Sequence, residues 1–165
     1  MALNRQLFFW LNNLAHRNNI LDWLWIFFAQ YAVFIFALAL IYFLRRDKRA
    51  FFKVASATVV TIIIVTLIKK IWPLSRPFLE EKVRLLITHP PDSTFPSKHA
   101  AAAFAIAFGI FLEKKCLGTA LLFLAFFVAL SRVVVGVHYP WDILAGSAIG
   151  IAAAYLSHKF LFQKK

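Results

Sequence analysis

Long apolar runs separated by short charged stretches dominate the pattern of the chain. A helix needs roughly 20 apolar residues to cross a bilayer, and strands are not expected because lipid offers the backbone no hydrogen bonds. The pattern predicts five transmembrane helices, at residues 23–44, 51–68, 99–112, 117–137 and 143–156. The predicted fold is therefore an all-α, polytopic membrane helical bundle, formed by a single domain over residues 1–165.

Two regions depart from this pattern. In residues 1–16, leucines recur at helical spacing with Asn and Gln between them, which predicts an amphipathic helix lying on the membrane surface. Residues 69–98 carry five of the six prolines and mix acidic with basic side chains. Because a polar segment of this length is usually functional in a compact protein, we expect residues 69–98 to contribute to a site.

Composition supports the membrane assignment and narrows the partners. Hydrophobic residues make up 62% of the 165 residues, which is more than a soluble domain of this size can bury. The formal net charge is +12, but Lys and Arg lie mainly between the apolar runs. Anionic lipid headgroups or an anionic substrate are therefore the expected partners, and nucleic acid is not. The single cysteine, Cys116, excludes an intrachain disulfide.

The charge of the short loops predicts the orientation of the bundle. If the five spans alternate in direction, residues 45–49, residues 113–115 and the C-terminal tail lie on the same side. All three are basic, which is typical of the cytoplasmic side of a membrane. The N-terminal helix, residues 69–98 and the turn at residues 131–142 then face the extracytoplasmic side.

Polar residues from three separate segments converge at this extracytoplasmic end. They are Lys69, Lys70 and Arg76, then Ser97, Lys98 and His99, then Ser131, Arg132, His138 and Asp142. Ionisable groups at membrane depth are costly, so we interpret them as functional, except for Lys70, which we interpret as an ordinary contact with lipid headgroups. Arg and Lys can clamp a phosphate, the helix that opens at Ser97 offers free backbone N–H groups, and two histidines suit phosphoryl transfer. Asp142 can hold the imidazole of His138 in one tautomer.

The same segments offer no carboxylate cluster for Mg²⁺ and no thiolate set for zinc, so we expect no metal and no cofactor.

These residues are also compatible with two other functions. A small anion transporter is an alternative, although it would need polar residues throughout the spans, where few occur. A non-catalytic scaffold that binds headgroups is another, although it would have no use for His99, His138 and Asp142 together.

Three motifs give the chain a family resemblance. Lys69, followed after six residues by Arg76-Pro77, matches the first motif, and Pro96-Ser97-Lys98-His99 resembles the second, which is Pro-Ser-Gly-His. Ser131-Arg132, Gly136, His138 and Asp142 match the third. Together they resemble the signature of the type 2 phosphatidic acid phosphatase family. Position 98, where glycine is commonest in that family, is a lysine here and brings an additional cation near the phosphate.

The resemblance implies a role for each matching residue. His138 would be the nucleophile that forms a phosphohistidine, Asp142 would orient it, and His99 would protonate the leaving group. Phosphate binding would be shared by Lys69, Arg76, Ser97 and Arg132, with the backbone at Lys98 helping. Members of the family need no metal.

Other segments resemble one branch of that family. Residues 11–33 and 94–97, with His138-Tyr139-Pro140, are similar to bacterial undecaprenyl-diphosphatases of the bacitracin-resistance type. This similarity implies removal of the terminal phosphate of undecaprenyl diphosphate at the outer face of the bacterial cytoplasmic membrane, which recycles the lipid carrier of peptidoglycan synthesis. Phosphatidylglycerophosphate, phosphatidate and lipid A phosphate are alternative substrates, because each presents a phosphate above an apolar tail.

Overall fold

The computed structural model describes residues 2–161, and within this range the chain forms eight α-helices and no strand. The helices are α1 Ala2–Asn12, α2 Asn19–Ile26, α3 Val33–Arg46, α4 Lys48–Ile71, α5 Pro77–Glu80, α6 Lys98–Glu113, α7 Lys115–Val134 and α8 Pro140–Leu156. Two π-helical turns, Phe27–Tyr31 and Ser157–Leu161, follow α2 and α8. The predicted all-α class is confirmed.

Local sequence signals explain where these helices begin. The side chains of Asn18, Asp47 and Ser97 each accept a hydrogen bond from a backbone N–H in the first turn of the next helix. Such caps satisfy donors that have no partner inside the helix. Pro77 and Pro140 stand in the first turns of α5 and α8, where the missing N–H of proline costs nothing.

The helix lengths bear on how often the chain crosses the membrane. α4, α7 and the stretch Pro140–Phe160 are each long and apolar enough to span, and α2 with α3 forms a fourth span if the bent pair is counted as one. α6 has 16 residues, which is short for a span of this kind. The polytopic helical bundle is therefore confirmed, while the count of five spans stays a prediction. That residues 1–165 form one domain also stays a prediction.

The first predicted span is not one straight helix. α2 and α3 meet at an angle of 43°, and the π-helical turn lies between them. In this turn the N–H of Ala32 bonds to the carbonyl of Phe27, five residues earlier, so the regular ladder is interrupted. The carbonyl of Ala29 in the same turn accepts a hydrogen bond from Arg132 at 2.9 Å. The bend therefore brings backbone polar groups to a buried arginine.

The centre of the bundle is α6, which packs against α4, α7 and α8. Small residues allow helices to approach closely in a membrane. A Cβ atom added at Gly146 of α8 would lie 2.6 Å from the carbonyl oxygen of Ser97, and one added at Gly150 would lie 2.3 Å from that of Ala101. This close contact holds the beginning of α8 beside the beginning of α6.

The predicted surface helix is shorter than residues 1–16 and is docked against the bundle. Trp10 of α1 is 71% exposed, whereas Phe8 and Asn12 are buried. The side-chain amide of Asn12 donates hydrogen bonds to the carbonyls of Arg84 at 2.8 Å and Val134 at 2.9 Å. α1 therefore connects the segment between α4 and α6 to the end of α7.

Candidate active site

The structure brings the residues of the three sequence motifs together at one end of the bundle. Arg76 follows α4, Ser97 caps α6, and His138 and Asp142 lie in the turn between α7 and α8 and at the start of α8. Hydrogen bonds join these segments directly. The N–H of Ser97 donates to the carbonyl of Asp142 at 3.0 Å, and an Nη1 atom of Arg76 lies 3.4 Å from Nε2 of His138.

The turn after α7 places His138 in the interior. Gly136 has a φ of +89°, a backbone conformation that is costly for residues with a Cβ atom. After this turn the N–H groups of Val137 and His138 both return to the carbonyl of Arg132 at 3.2 Å. His138 is 2% exposed as a result. The glycine of the third motif is therefore explained by the reversal of the chain at this position.

His138 and Asp142 form an ion-pair geometry one helical turn apart. Nδ1 of His138 lies 3.3 Å from Oδ2 of Asp142, and the carboxylate also accepts a hydrogen bond from the N–H of Tyr139 at 2.8 Å. With an acceptor beside Nδ1, the proton of a neutral imidazole belongs on that nitrogen. Nε2 then carries the lone pair, which faces Nη1 of Arg76 at 3.4 Å, a long hydrogen-bond distance.

Thr94 completes this pair and was not singled out from the sequence as a site residue. It is 1% exposed, and its hydroxyl donates to Oδ2 of Asp142 and lies 3.1 Å from Nδ1 of His138. The hydroxyl therefore restrains both groups. The only sequence signal was its position in Thr94-Phe95-Pro96-Ser97, a segment that entered the resemblance without any role for its first residue.

Two buried arginines stand over this histidine. Arg76 and Arg132 are each 1% exposed. Arg76 donates to the carbonyl of Val137 at 2.7 Å, so part of its guanidinium is fixed by the backbone. Nη1 of Arg132 donates to Ala29, whereas its Nε and Nη2 are buried with no hydrogen-bond partner in residues 2–161. Buried donors left in this way are costly, and their fork geometry matches a phosphate.

Asp92, which the sequence analysis did not single out, is bound to Arg76. Its Oδ1 accepts from Nη2 of Arg76 at 2.6 Å and from Nε at 2.9 Å. Partial burial raises the pKa of the Asp92 carboxyl. The hydrogen bond and the charge of Arg76 lower it by more, so the pKa of Asp92 lies below the usual range. No local pattern marks this residue, because its partner lies 16 positions away in the chain.

The remaining predicted phosphate ligands surround the same space. Lys69, at the end of α4, is 8% exposed and donates to the carbonyl of Ser93. Ser97 is fully buried, and its hydroxyl accepts from the N–H of Ala100 at 3.5 Å. The ammonium group of Lys98 is close enough to that of Lys69 for the two charges to interact. Cations therefore outnumber carboxylates around the two histidines.

His99 lies at the end of an apolar groove that reaches this space. The groove has a volume of about 200 Å³ and is bounded by α3, α4, α6 and α7. Its lining comprises Val33, Phe36, Ile62, Lys98, His99, Ala102, Ala103, Ile106 and Val128. His99 is also within electrostatic range of Arg132 and Lys69. Its position suits a group that acts between the phosphate and an apolar chain.

His138 is neutral in this environment. Complete burial lowers its pKa well below the usual range, and the positive charges of Arg132, Arg76 and Lys69 act in the same direction. His89, which sequence reasoning left without a role, has its ring centre 6.4 Å from that of His138. Burial lowers the pKa of His89 as well, with Arg76 contributing. The neutral imidazole of His138 is the form that can donate an electron pair to phosphorus.

The described residues also bear on metal binding. Within residues 2–161, no three His, Cys, Asp or Glu side chains are grouped as metal ligands. The carboxylates nearest the site, Asp92 and Asp142, are each engaged with different partners. That the reaction proceeds without a metal stays a prediction, which a chelator can test.

Comparison with known proteins identifies related chains. Residues 50–165 match a family described as the PAP2 superfamily. The chain is 30% identical to undecaprenyl-diphosphatase BcrC of Bacillus subtilis, over 96% of this chain and 84% of that one. It is 36% identical to a protein of Bacillus licheniformis named bacitracin transport permease protein BcrC, over 92% of this chain and 77% of that one.

Solved structures share the fold. The crystal structure of Aquifex aeolicus LpxE matches with a TM-score of 0.87 and 29% identity, covering 97% of each chain. A PAP2-type phosphatidylglycerolphosphate phosphatase of Bacillus subtilis matches with a TM-score of 0.71 and 20% identity, covering 94% of this chain and 85% of that one. The helical arrangement described above is therefore one that other proteins, among them a transmembrane phosphatase, also adopt.

Proposed function

This chain belongs to the PAP2 superfamily and is a membrane lipid phosphatase, and we propose that it removes the terminal phosphate of undecaprenyl diphosphate. The similarity to an undecaprenyl-diphosphatase over nearly the whole chain supports this substrate. The observation that carries the chemistry is the position of Nε2 of His138, whose lone pair faces Arg76 while Asp142 holds the ring from its other side.

In this mechanism, the terminal phosphate binds among the cations of the site. The free Nε and Nη2 of Arg132 supply a fork for two phosphate oxygens. Arg76, Lys69 and the start of α6 at Ser97 neutralise the remaining charge, because helix N-termini attract anions. These groups stabilise the additional charge that develops in the transition state of phosphoryl transfer.

The reaction proceeds in two steps. In the first, Nε2 of His138 attacks the terminal phosphorus, the bond from phosphorus to the bridging oxygen breaks, and His99, which enters the step as an imidazolium, gives its proton to that oxygen. Undecaprenyl monophosphate leaves, and a phosphohistidine remains. In the second, His99 takes a proton from water, the water oxygen attacks the phosphorus, and inorganic phosphate leaves as His138 is regenerated. Asp142 keeps the His138 ring oriented throughout.

We also propose that the site faces the extracytoplasmic side of the bacterial cytoplasmic membrane. The basic loops at residues 45–49 and 113–115 support this orientation, since such loops favour the cytoplasm. Cys116, the one cysteine in the chain, is exposed at the beginning of α7 and offers a direct test. A membrane-impermeant maleimide is expected to label it in permeabilised cells but not in intact cells. Labelling of intact cells would reverse the orientation.

Phosphate release by purified protein tests the proposed activity. In detergent with EDTA present, we expect a higher kcat/KM for undecaprenyl diphosphate than for phosphatidylglycerophosphate or phosphatidate. His138→Ala, purified in the same way, is the matched control and should release no phosphate. Preference for another lipid would preserve the chemistry and reject the substrate. Substantial activity in His138→Ala would reject the mechanism.

A further inference from the structure

The apolar groove beside His99 leads from the surface of the helical bundle to the phosphate-binding space. Its lining is apolar except at the end formed by Lys98 and His99. Val33 of α3 and Ile62 of α4 line the groove and are 41% and 44% exposed, so the groove opens on the flank of the bundle between these helices. An isoprenoid chain that lies in the groove therefore has its phosphate end at Lys98 and His99.

Lys98 stands where the groove meets the cations of the site. It is the first residue of α6, directly after the buried Ser97, and its side chain is exposed. Within residues 2–161, its ammonium group forms no ion pair or hydrogen bond. The positive charge of Lys98 interacts repulsively with that of Lys69. An unpaired cation beside a phosphate-binding lysine favours an anion between or next to the two groups.

A lipid diphosphate has a second charged group that would lie at the polar end of this groove, which Lys98 and His99 form together. The terminal phosphate must reach Nε2 of His138, and the bridging oxygen must reach His99. The next group toward the tail is the second phosphate, which stays on the lipid. Lys98 is adjacent to His99 and borders the same groove.

We propose that Lys98 binds the second phosphate of the substrate and so makes the enzyme selective for lipid diphosphates over lipid monophosphates. This inference rests on the proposed function. When the bond to the terminal phosphorus breaks, its electron pair passes to the bridging oxygen of the departing lipid monophosphate, which His99 protonates. The ammonium of Lys98 stabilises the charge of that departing group. A lipid monophosphate has an uncharged alkyl or glycerol carbon in place of the second phosphate, so the ammonium of Lys98 has no anion to bind there.

The test compares two substrates that differ only in the second phosphate, namely a prenyl diphosphate and the prenyl monophosphate of the same chain length. Lys98→Gln removes the charge and keeps the length of the side chain, and Lys98→Arg restores the charge. Lys70→Gln is the matched control, because Lys70 is an exposed lysine near the site that we assign to lipid headgroups and not to the substrate. For each protein, kcat/KM is measured on both substrates, and the midpoint of thermal unfolding verifies that the fold is retained.

The expected result is a fall of roughly tenfold in the ratio of diphosphate to monophosphate kcat/KM for Lys98→Gln, the size expected for one charge-assisted hydrogen bond. Lys98→Arg and Lys70→Gln should keep the wild-type ratio. Suppose that the wild type hydrolyses the diphosphate and that Lys98→Gln either keeps the wild-type ratio of diphosphate to monophosphate kcat/KM or loses both activities equally. The role of Lys98 is then rejected, and the proposed function stands. If the wild type hydrolyses the monophosphate but not the diphosphate, the proposed substrate is rejected together with this role.

Discussion

The buried guanidinium of Arg76 is held by the half-exposed carboxylate of Asp92, with Nη2 and Nε at 2.6 Å and 2.9 Å from the same oxygen. A carboxylate oxygen in this position occupies the place that a phosphate oxygen of the substrate would take. If Arg76 binds the phosphate as proposed, Asp92 competes with the substrate for it. The fold supplies its own anion to an arginine that would otherwise be buried unpaired at considerable cost.

Replacing Asp92 by Asn is expected to strengthen substrate binding. The amide keeps the size of the side chain but removes the charge that competes with the phosphate, so KM should fall by roughly fivefold, the effect of one partly exposed ion pair. Initial rates over a range of substrate concentrations measure this change. Asp92→Glu, which keeps the charge, should leave KM near the wild-type value. A higher KM in Asp92→Asn would mean that the carboxylate positions Arg76 for the phosphate instead of competing with it.

Replacing Asp142 by Asn is expected to lower kcat by roughly 10³-fold, because the orienting carboxylate of His138 is lost and the amide can donate toward Nδ1 and favour the wrong tautomer. The measurement is phosphate release at saturating substrate. The phosphohistidine should also form more slowly when radiolabelled substrate is quenched in base, where this adduct survives. Activity close to that of the wild type would remove Asp142 from the mechanism.

Replacing Thr94 by Val tests whether its hydroxyl positions the histidine. The change keeps the shape of the side chain and removes the hydrogen bond to Asp142, so kcat should fall by roughly tenfold, the effect of one buried hydrogen bond. KM should change little, since Thr94 is not expected to touch the substrate. Thr94→Ser, which keeps the hydroxyl, should restore kcat. If Thr94→Val raised KM and left kcat unchanged, the hydroxyl would belong to substrate binding.

The burial of His138 predicts how stability depends on pH. Below pH 6.5 or so the imidazole of the unfolded chain takes up a proton, whereas the lowered pKa of the buried ring keeps it neutral in the folded protein. The unfolded state then binds more protons, so the free energy of unfolding falls by up to about 1.4 kcal/mol per pH unit as the pH drops. Above that pH the ring is neutral in both states and adds no pH dependence to the free energy of unfolding.

Thermal unfolding in detergent at pH 7.5, 6.5 and 5.5 measures this dependence. His138→Asn, which cannot take up a proton, should lose less stability than the wild type between pH 6.5 and pH 5.5. Parallel curves for the two proteins would contradict the burial of a neutral imidazole at position 138.

The sequence by itself determined the membrane fold and predicted most of the residues that the structure brings together at one end of the bundle. Apolar runs predict helices because a bilayer requires each segment to satisfy its own backbone, which depends only on neighbouring residues. Alternation of the spans then places Lys69, His99 and Arg132 at one end without any knowledge of packing. The family motifs added the expected roles of His138 and Asp142, whose spacing of four residues is visible in the chain itself.

Only the tertiary structure decided which groups touch. The bend between α2 and α3 arises at the π-helical turn Phe27–Tyr31, where the α-helical hydrogen bonds are interrupted. This bend brings Ala29 to Arg132. The contacts of Thr94 with Asp142, of Asp92 with Arg76 and of α1 with the end of α7 join residues far apart in sequence. Hydrophobic periodicity describes one segment at a time, whereas such contacts depend on how closely the helices pack against one another. The close approach of α8 to α6 at Gly146 and Gly150 is one example.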